Sequence, residues 1–228
     1  MPNHITNVLK IEGALGDISK CMDTIRGETI DLNRPFIIDF EKILPIPELI
    51  RHSGSGRTII DGQMYDEWYF EYGDGSNWVT KDRPFTPQEY VELAKYDQRN
   101  WYDWACANWG TKWNAYDQSI LDDNLNEVSI QFNTAWASPT PVIEALSNMF
   151  PSLKFTLTYA DEDLGSNTGR LKFANGILTE QFCPEYATHE AYEIVLEIND
   201  YASEYIKLVD GVYTYVNEED EEYEEEVA

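Results

Sequence analysis

Basic residues are scarce in this chain beside its acids. Sixteen Lys and Arg stand against 42 Asp and Glu, giving a formal charge of −26 over 228 residues and a pI near 4.2. A field of that sign repels nucleic acid and anionic membranes and draws in basic surfaces, so direct nucleic-acid binding is disfavoured. Long apolar runs are also missing. No stretch approaches the ~20 residues needed to cross a bilayer, and the opening MPNHITNVLK has no apolar signal segment. The expectation is a soluble, cytoplasmic protein. Cysteine is scarce too: Cys21, Cys106 and Cys183 are far apart and form no CxxC pair, which reads as reduced, mostly buried thiols.

Signatures of chemistry are equally sparse. His4, His52 and His189 share no metal-ligand spacing such as HxxxH or HExxH. Asp161 to Asn167 (DEDLGSN) resembles a calcium loop, yet an EF-hand starting at Asp161 needs glycine at 166 and glutamate at 172, where Ser166 and Lys172 stand. Gly54-Ser55-Gly56-Arg57 is too short for a phosphate loop, and no GxSxG occurs. Among 42 carboxylates close pairs arise by chance, so none is nominated as acid and base. No catalytic residue, metal or cofactor is assigned, and the chain is expected not to be an enzyme.

What is present is a core. Apolar residues make up 43% and aromatics 14% of the chain, ample for folding. Four of the seven Trp fall between residues 101 and 113: Trp101, Trp104, Trp109 and Trp113. Such density marks buried area, and together with Trp136 they are expected to form the structural core. Lys112, the one base of this block, is expected to pair with Asp103 or Asp117. Thr86, Pro87 and Glu89 form a Thr-x-x-Glu capping box with proline at the first position, and Gly110 supplies a left-handed stop. The spacing predicts one helix over 87–109.

Alternation predicts a first strand over 4–12, helical spacing a helix over 14–26, and FIIDFEKI a second strand over 36–43. Residues 51–85 read as an insertion holding a short hairpin. Further strands are expected at 127–133, 153–159, 170–174 and 177–182, with a helix opened by Pro141 and closed by Pro151. Asn175-Gly176 and Asp210-Gly211 suit type I′ hairpin turns. Residues 187–199 fit either strand or helix. The fold class is α+β: a ferredoxin-like, split β-α-β antiparallel sheet with helices on one face, a long insertion (about 48–126) between the halves, and C-terminal β-hairpins. A single domain spans 1–216, and 217–228 (NEEDEEYEEEVA) is an acidic disordered tail. The tail holds eight acids and no base, so removing it still leaves −18 on the body.

The opening MPNHITNVLKIEG, the strand-turn IDFEKILPIP, the block WYDWACANWGTKWNA and FNTAWASPTPVIEALSNMFPSLKFTLTY resemble the YubB ferredoxin-like proteins of phages and conjugative plasmids. The resemblance runs from about residue 2 to 182, with the insertion and the final forty-odd residues departing from it. WGTKW and TAWASP are its most specific landmarks. It implies a ferredoxin-like fold and a mobile-element origin, and it implies no reaction.

Acidity and origin together point to a decoy. A folded surface dense in carboxylates presents a field like that of duplex DNA, which carries a charge every ~1.7 Å of axis. The expected partner is a basic nucleic-acid-binding host protein, a CRISPR effector or restriction enzyme, whose groove would be occupied in place of nucleic acid. Candidate contacts are Asp61, Asp66, Glu67, Glu71 and Asp74 of the insertion, Asp161, Glu162 and Asp163 of the loop, and Glu218, Glu219, Asp220, Glu221 and Glu222 of the tail. The alternative is an interaction or assembly module using an aromatic surface at Trp68, Tyr69, Phe70, Tyr72 and Trp78.

Overall fold

The computed structural model describes residues 3–28, 36–71 and 81–216. In chain order the elements begin with β1 (His4–Glu12), α1 (Leu15–Ile25), α2 (Phe40–Ile43) and α3 (Glu48–Arg51). A small sheet follows, β2 (Ser53–Ile60), β3 (Gln63–Glu71) and β4 (Lys81–Arg83), then α4 (Pro87–Leu93) and α5 (Trp101–Asn108). Next come β5 (Tyr116–Asn124), β6 (Glu127–Ala135), α6 (Thr140–Met149), β7 (Lys154–Asp161), β8 (Gly169–Ala174) and β9 (Ile177–Phe182). The described chain closes with α7 (His189–Ile198), α8 (Ala202–Tyr205), β10 (Ile206–Val209) and β11 (Val212–Tyr215).

Six strands form the main sheet in the order β5-β6-β1-β7-β8-β9, every neighbouring pair antiparallel. β1 lies inside it, with Leu9 opposite Ile130 on one side and Leu157 on the other. Its alternation has the strand period of two: Ile5, Asn7, Leu9 and Ile11 are buried on one face. There Ile18, Met22 and Ile25 of α1 and Val142, Ile143 and Leu146 of α6 join the same core. On the opposite face Val8 and Ala160 meet Tyr192, Val195 and Ile198 of α7. Helices therefore cover both faces, not one. The strict alternation of β1 concealed this, because Thr6, Val8 and Lys10 read as a solvent face and are only half-buried.

Residues 36–43 are not a strand. Ile37, Ile38, Phe40 and Ile43 are buried, but among the described residues no strand pairs with them. Instead Ile37 N and Ile38 N both donate to Gln118 Oε1 at 2.7 and 2.8 Å, and Gln118 Nε2 donates to Ile38 O at 3.0 Å. Phe40 N donates to Asn114 Oδ1, and Asp39 caps α2 by accepting from Glu41 N. Side-chain amides thus satisfy the backbone that a sheet would otherwise pair, and the chain turns helical at Phe40. The strand beyond β6 is β5, which falls inside the segment expected to be an insertion. It pairs with β6 along one edge of the main sheet.

The helix expected over 87–109 is two. Its capping box is present, with Thr86 Oγ1 accepting from Glu89 N and Glu89 accepting from Thr86 N. It stops at Leu93. Asn100 then caps α5, accepting from Asp103 N at 2.9 Å with φ −134° and ψ 159°. An N-cap needs this extended conformation, so a helix cannot run through it. The hairpin turns keep the expected backbone, with φ of 53° and 70° at Asn175-Gly176 and 51° and 81° at Asp210-Gly211. Residues 187–199 resolve as α7, capped by Thr188. The tail, 217–228, lies outside the described residues.

Candidate functional site

The described acids among those expected to act together stand on two separate elements, the β2–β3 hairpin and the turn after β7. Asp61 sits at the exposed β2–β3 turn, and Asp66 and Glu71 are exposed on β3 while Glu67 is half-buried. Successive strand residues point to opposite faces, so Asp66 is on one side of this hairpin and Glu67 and Glu71 on the other. Asp74 and Glu218, Glu219, Asp220, Glu221 and Glu222 lie outside the described residues. Asp161 is not a contact residue: it is buried, and its Oδ1 accepts from Asn3 Nδ2 at 3.1 Å and from Asp163 N at 3.0 Å, which builds the turn. Glu162 and Asp163 remain exposed. They sit against the C-terminal elements, where the Tyr215 hydroxyl donates to Leu164 O at 3.0 Å. Burial, then Glu162 and Asp161, raises the Tyr201 hydroxyl pKa. Burial, then Tyr192 and Asp163, raises that of Tyr215.

The acids that do align were not foreseen. Glu190, Glu193 and Glu197 are exposed along α7, spaced three and four residues apart and so on one helix face. Asp200, Glu204 and Asp210 are exposed just beyond, and Lys207 is the one Lys or Arg between 183 and 216. Within this array Glu193 faces His189 at 3.2 Å and Glu197 pairs with Arg170. The glutamate spacing was visible in the sequence. It carries no helical signal by itself, because the apolar residues between also alternate like a strand.

The tryptophans divide. Trp104 and Trp109 are buried, and Trp109 stands edge-on to Phe40 while its Nε1 donates to Leu44 O at 2.8 Å. Trp101 is only half-buried, and Trp113 and Trp136 are 38% and 44% exposed. The last three are therefore not core residues in full. α5 has two turns and one inward face, and the chain leaves it at Gly110 with φ +79°. Pro141 of α6 comes so close there that a Cβ would meet its Cδ at 2.8 Å. Thr111 then exchanges hydrogen bonds with Ala135, its Oγ1 donating to Ala135 O and accepting from Ala135 N. This fastens the two landmark segments, WGTKW and TAWASP, to each other.

Lys112 lies between their rings. Its Nζ is 4.6 Å from the Trp113 ring centre, 4.9 Å from Trp136 and 5.8 Å from Tyr102, within cation–π range. No ion pair joins it to Asp103 or Asp117 among the described residues, contrary to expectation. Trp136 holds φ +69°, a strained conformation for a bulky residue. It is retained by Trp136 N donating to Asn3 O and Asn167 Nδ2 donating to Trp136 O. Beside Trp113, the Tyr116 hydroxyl meets His4 Nδ1 at 2.6 Å, and burial first, then Asp117 and Glu162, pushes its pKa up to about 12. A cleft of about 390 Å³ opens on the other side of Lys112, walled by Trp101, Trp109 and Trp113, with Glu41, Arg51 and Asn114 among its polar residues.

Among the described residues, the aromatic run of the insertion forms no comparable surface. Phe70 is buried, Tyr69 is half-buried under the Arg83 guanidinium at 3.9 Å, and Trp68 lies against Gly54. Tyr72 and Trp78 are outside the described residues. Among the described residues no group of three His, Cys, Asp or Glu could hold a metal ion, and no helix is long and apolar enough to cross a membrane.

With β1 flanked by β6 and β7 and α6 laid across the sheet, the likeness to known proteins becomes specific. Residues 108–201 match the ferredoxin-like domain in Api92-like protein. The Api92-like match takes in every strand of the main sheet except β1, together with α6 and α7. This stretch is thus a ferredoxin-like domain of mixed α+β content built on antiparallel strands. A crystal structure of the protein api92 from Yersinia pseudotuberculosis is similar at 12% identity, covering 81% of this chain and 99% of that one with a TM-score of 0.46. No curated protein matches the chain.

Proposed function

We propose that the protein is a non-enzymatic, phage- or plasmid-encoded inhibitor that occupies the basic nucleic-acid-binding surface of a host defence protein, of the CRISPR-effector or restriction type. The observation that carries this reading is the carboxylate row of α7. At 1.5 Å rise per residue, Glu190, Glu193 and Glu197 are about 4.5 and 6 Å apart along the axis, within a factor of two of the ~3.4 Å axial phosphate spacing of one DNA strand. Asp200, Glu204 and Asp210 are further exposed acids in the elements that follow α7, Glu162 and Asp163 are exposed just after β7, and the sequence continues from β11 into the acidic tail. The origin rests on the resemblance to YubB proteins alone; the strand order bears only on the fold, in which β1-α1-β5 and β6-α6-β7 would be two interleaved β-α-β units.

The test is a binding titration of the full chain against purified CRISPR effectors and restriction enzymes at 50 and 500 mM salt, with duplex DNA as competitor. Binding that weakens steeply with salt and is displaced by DNA is expected. Glu190→Gln, Glu193→Gln and Glu204→Gln combined should weaken it at least tenfold, whereas Asp66→Asn with Glu71→Gln should not. Affinity that does not move across the tenfold salt range would sink the proposal. A second reading, interaction through an aromatic surface, has support at Trp113 and Trp136 rather than in the insertion, and would appear as salt-insensitive association.

A further inference from the structure

The geometry points to a binding site for a neutral saccharide in the cleft between α2–α3 and the end of α5. This is independent of the acidic surface. Trp101 and Trp113 offer accessible indole surface to the cleft, above a buried Trp109, and the apolar C–H face of a pyranose ring stacks on indole as bases do on aromatic side chains. Trp109 is buried and held by its bond to Leu44 O, so the base of the cleft is preorganised. Neither Trp101 nor Trp113 has a hydrogen-bond partner for its indole N–H among the described residues, leaving two donors at the rim for hydroxyl oxygens.

The polar residues suit vicinal hydroxyls. Glu41 accepts from both Arg51 guanidinium nitrogens, at 2.6 and 2.8 Å, and from Ile46 N at 3.0 Å, so of its roughly four lone-pair sites one is left for a ligand hydroxyl. Asn114 Nδ2 spends one proton on Asp39 Oδ1 at 2.8 Å and keeps a second. Planar groups held in position by their own bonds give directional recognition. Charge then selects the ligand class. A chain at −26 repels nucleotides and other polyanions, and the Arg51 and Lys112 charges are engaged by Glu41 and by rings. A neutral ring with hydroxyls on its rim and an apolar face meets none of these penalties. About 390 Å³ falls within the usual range for small-ligand sites.

The experiment uses the full chain with maltose, cellobiose, lactose and N,N′-diacetylchitobiose, followed by saturation-transfer NMR and tryptophan fluorescence. At least one should bind saturably and shift the Trp101 and Trp113 indole N–H resonances while leaving that of Trp68 in place. Trp113→Ala should weaken binding at least tenfold, Trp113→Phe less, and Tyr186→Ala, on the remote β9–α7 connection, not at all. Should Trp113→Ala fail to fold, the indole shifts of the unaltered chain and the Trp113→Phe variant decide. The inference is overturned if no disaccharide binds, if binding survives Trp113→Ala intact, or if only ATP or a proline-rich peptide shifts the Trp113 resonance.

Discussion

Glu89 accepts three hydrogen bonds, from Thr86 N at 2.8 Å and from both Arg83 guanidinium nitrogens at 2.9 and 2.7 Å. Arg83, more than Thr86, holds its carboxyl at about 2, well below the usual range. A depressed pKa means the unfolded chain binds the extra proton first, so this stabilisation is complete above about pH 4.5 and is lost as pH falls toward 2. Glu89→Gln should therefore cost about 1–2 kcal/mol at pH 7. In thermal melts the gap from the unaltered protein should narrow from pH 5 to pH 3; a gap that stays constant would mean the charge is not what matters. The tryptophans make a second contrast at this scale. Trp109→Ala should cost about 3–5 kcal/mol in urea unfolding, as for a buried aromatic. Trp136→Gly should fall within about 1 kcal/mol of zero, because relief of the positive φ offsets the lost ring contacts. The density of tryptophan was legible in the sequence. Which rings were covered was not, since that follows from a helix only two turns long and from the turn at Gly110, whose tightness Pro141 dictates from thirty residues away.

The extended segment before α2 tests how far side chains can stand in for a strand. Gln118→Ala would leave Ile37 N, Ile38 N and Ile38 O without their partner, and buried groups left unsatisfied cost about 1–3 kcal/mol each. A loss of about 3 kcal/mol is expected in urea unfolding. Gln118→Glu keeps the acceptor for two N–H groups and should lose less than Gln118→Ala. If the two variants are equally stable, the clamp contributes nothing. This contact also explains why residues 36–43 are not a strand. FIIDFEKI carries the apolar residues of a strand, and nothing local reveals that its partner is one amide 80 residues on. β5 is the converse case. YDQSILDDN has little buried surface because it is an edge, so its alternation is faint, whereas β1, β6 and β7 have strong patterns and emerged at nearly their observed bounds. The landmarks WGTKW and TAWASP were legible as features, but their meeting around Lys112 depends on the Thr111–Ala135 exchange, which only the register of the sheet supplies.

Across the whole molecule the charge works against compactness. Self-repulsion at −26 is screened by salt, so the melting temperature should rise by a few degrees between 20 and 500 mM sodium chloride, in the opposite sense to the expected fall in partner affinity. A melting temperature indifferent to salt would show that the carboxylates are spread too thinly to repel. The sequence stated how much charge there was and nothing of its arrangement, because alignment of Glu190, Glu193 and Glu197 requires the helix that the apolar pattern left open. The position of β1 has a consequence during synthesis. Its neighbours in the sheet, β6 and β7, end at Ala135 and Asp161, so β1 waits for both to be made before it can pair on its two sides. At roughly 5–20 residues per second, that is on the order of 10–30 seconds in which Leu9 and Ile11 have no sheet to enter. A nascent chain of this protein should be a client of ribosome-associated chaperones, released only when β7 emerges.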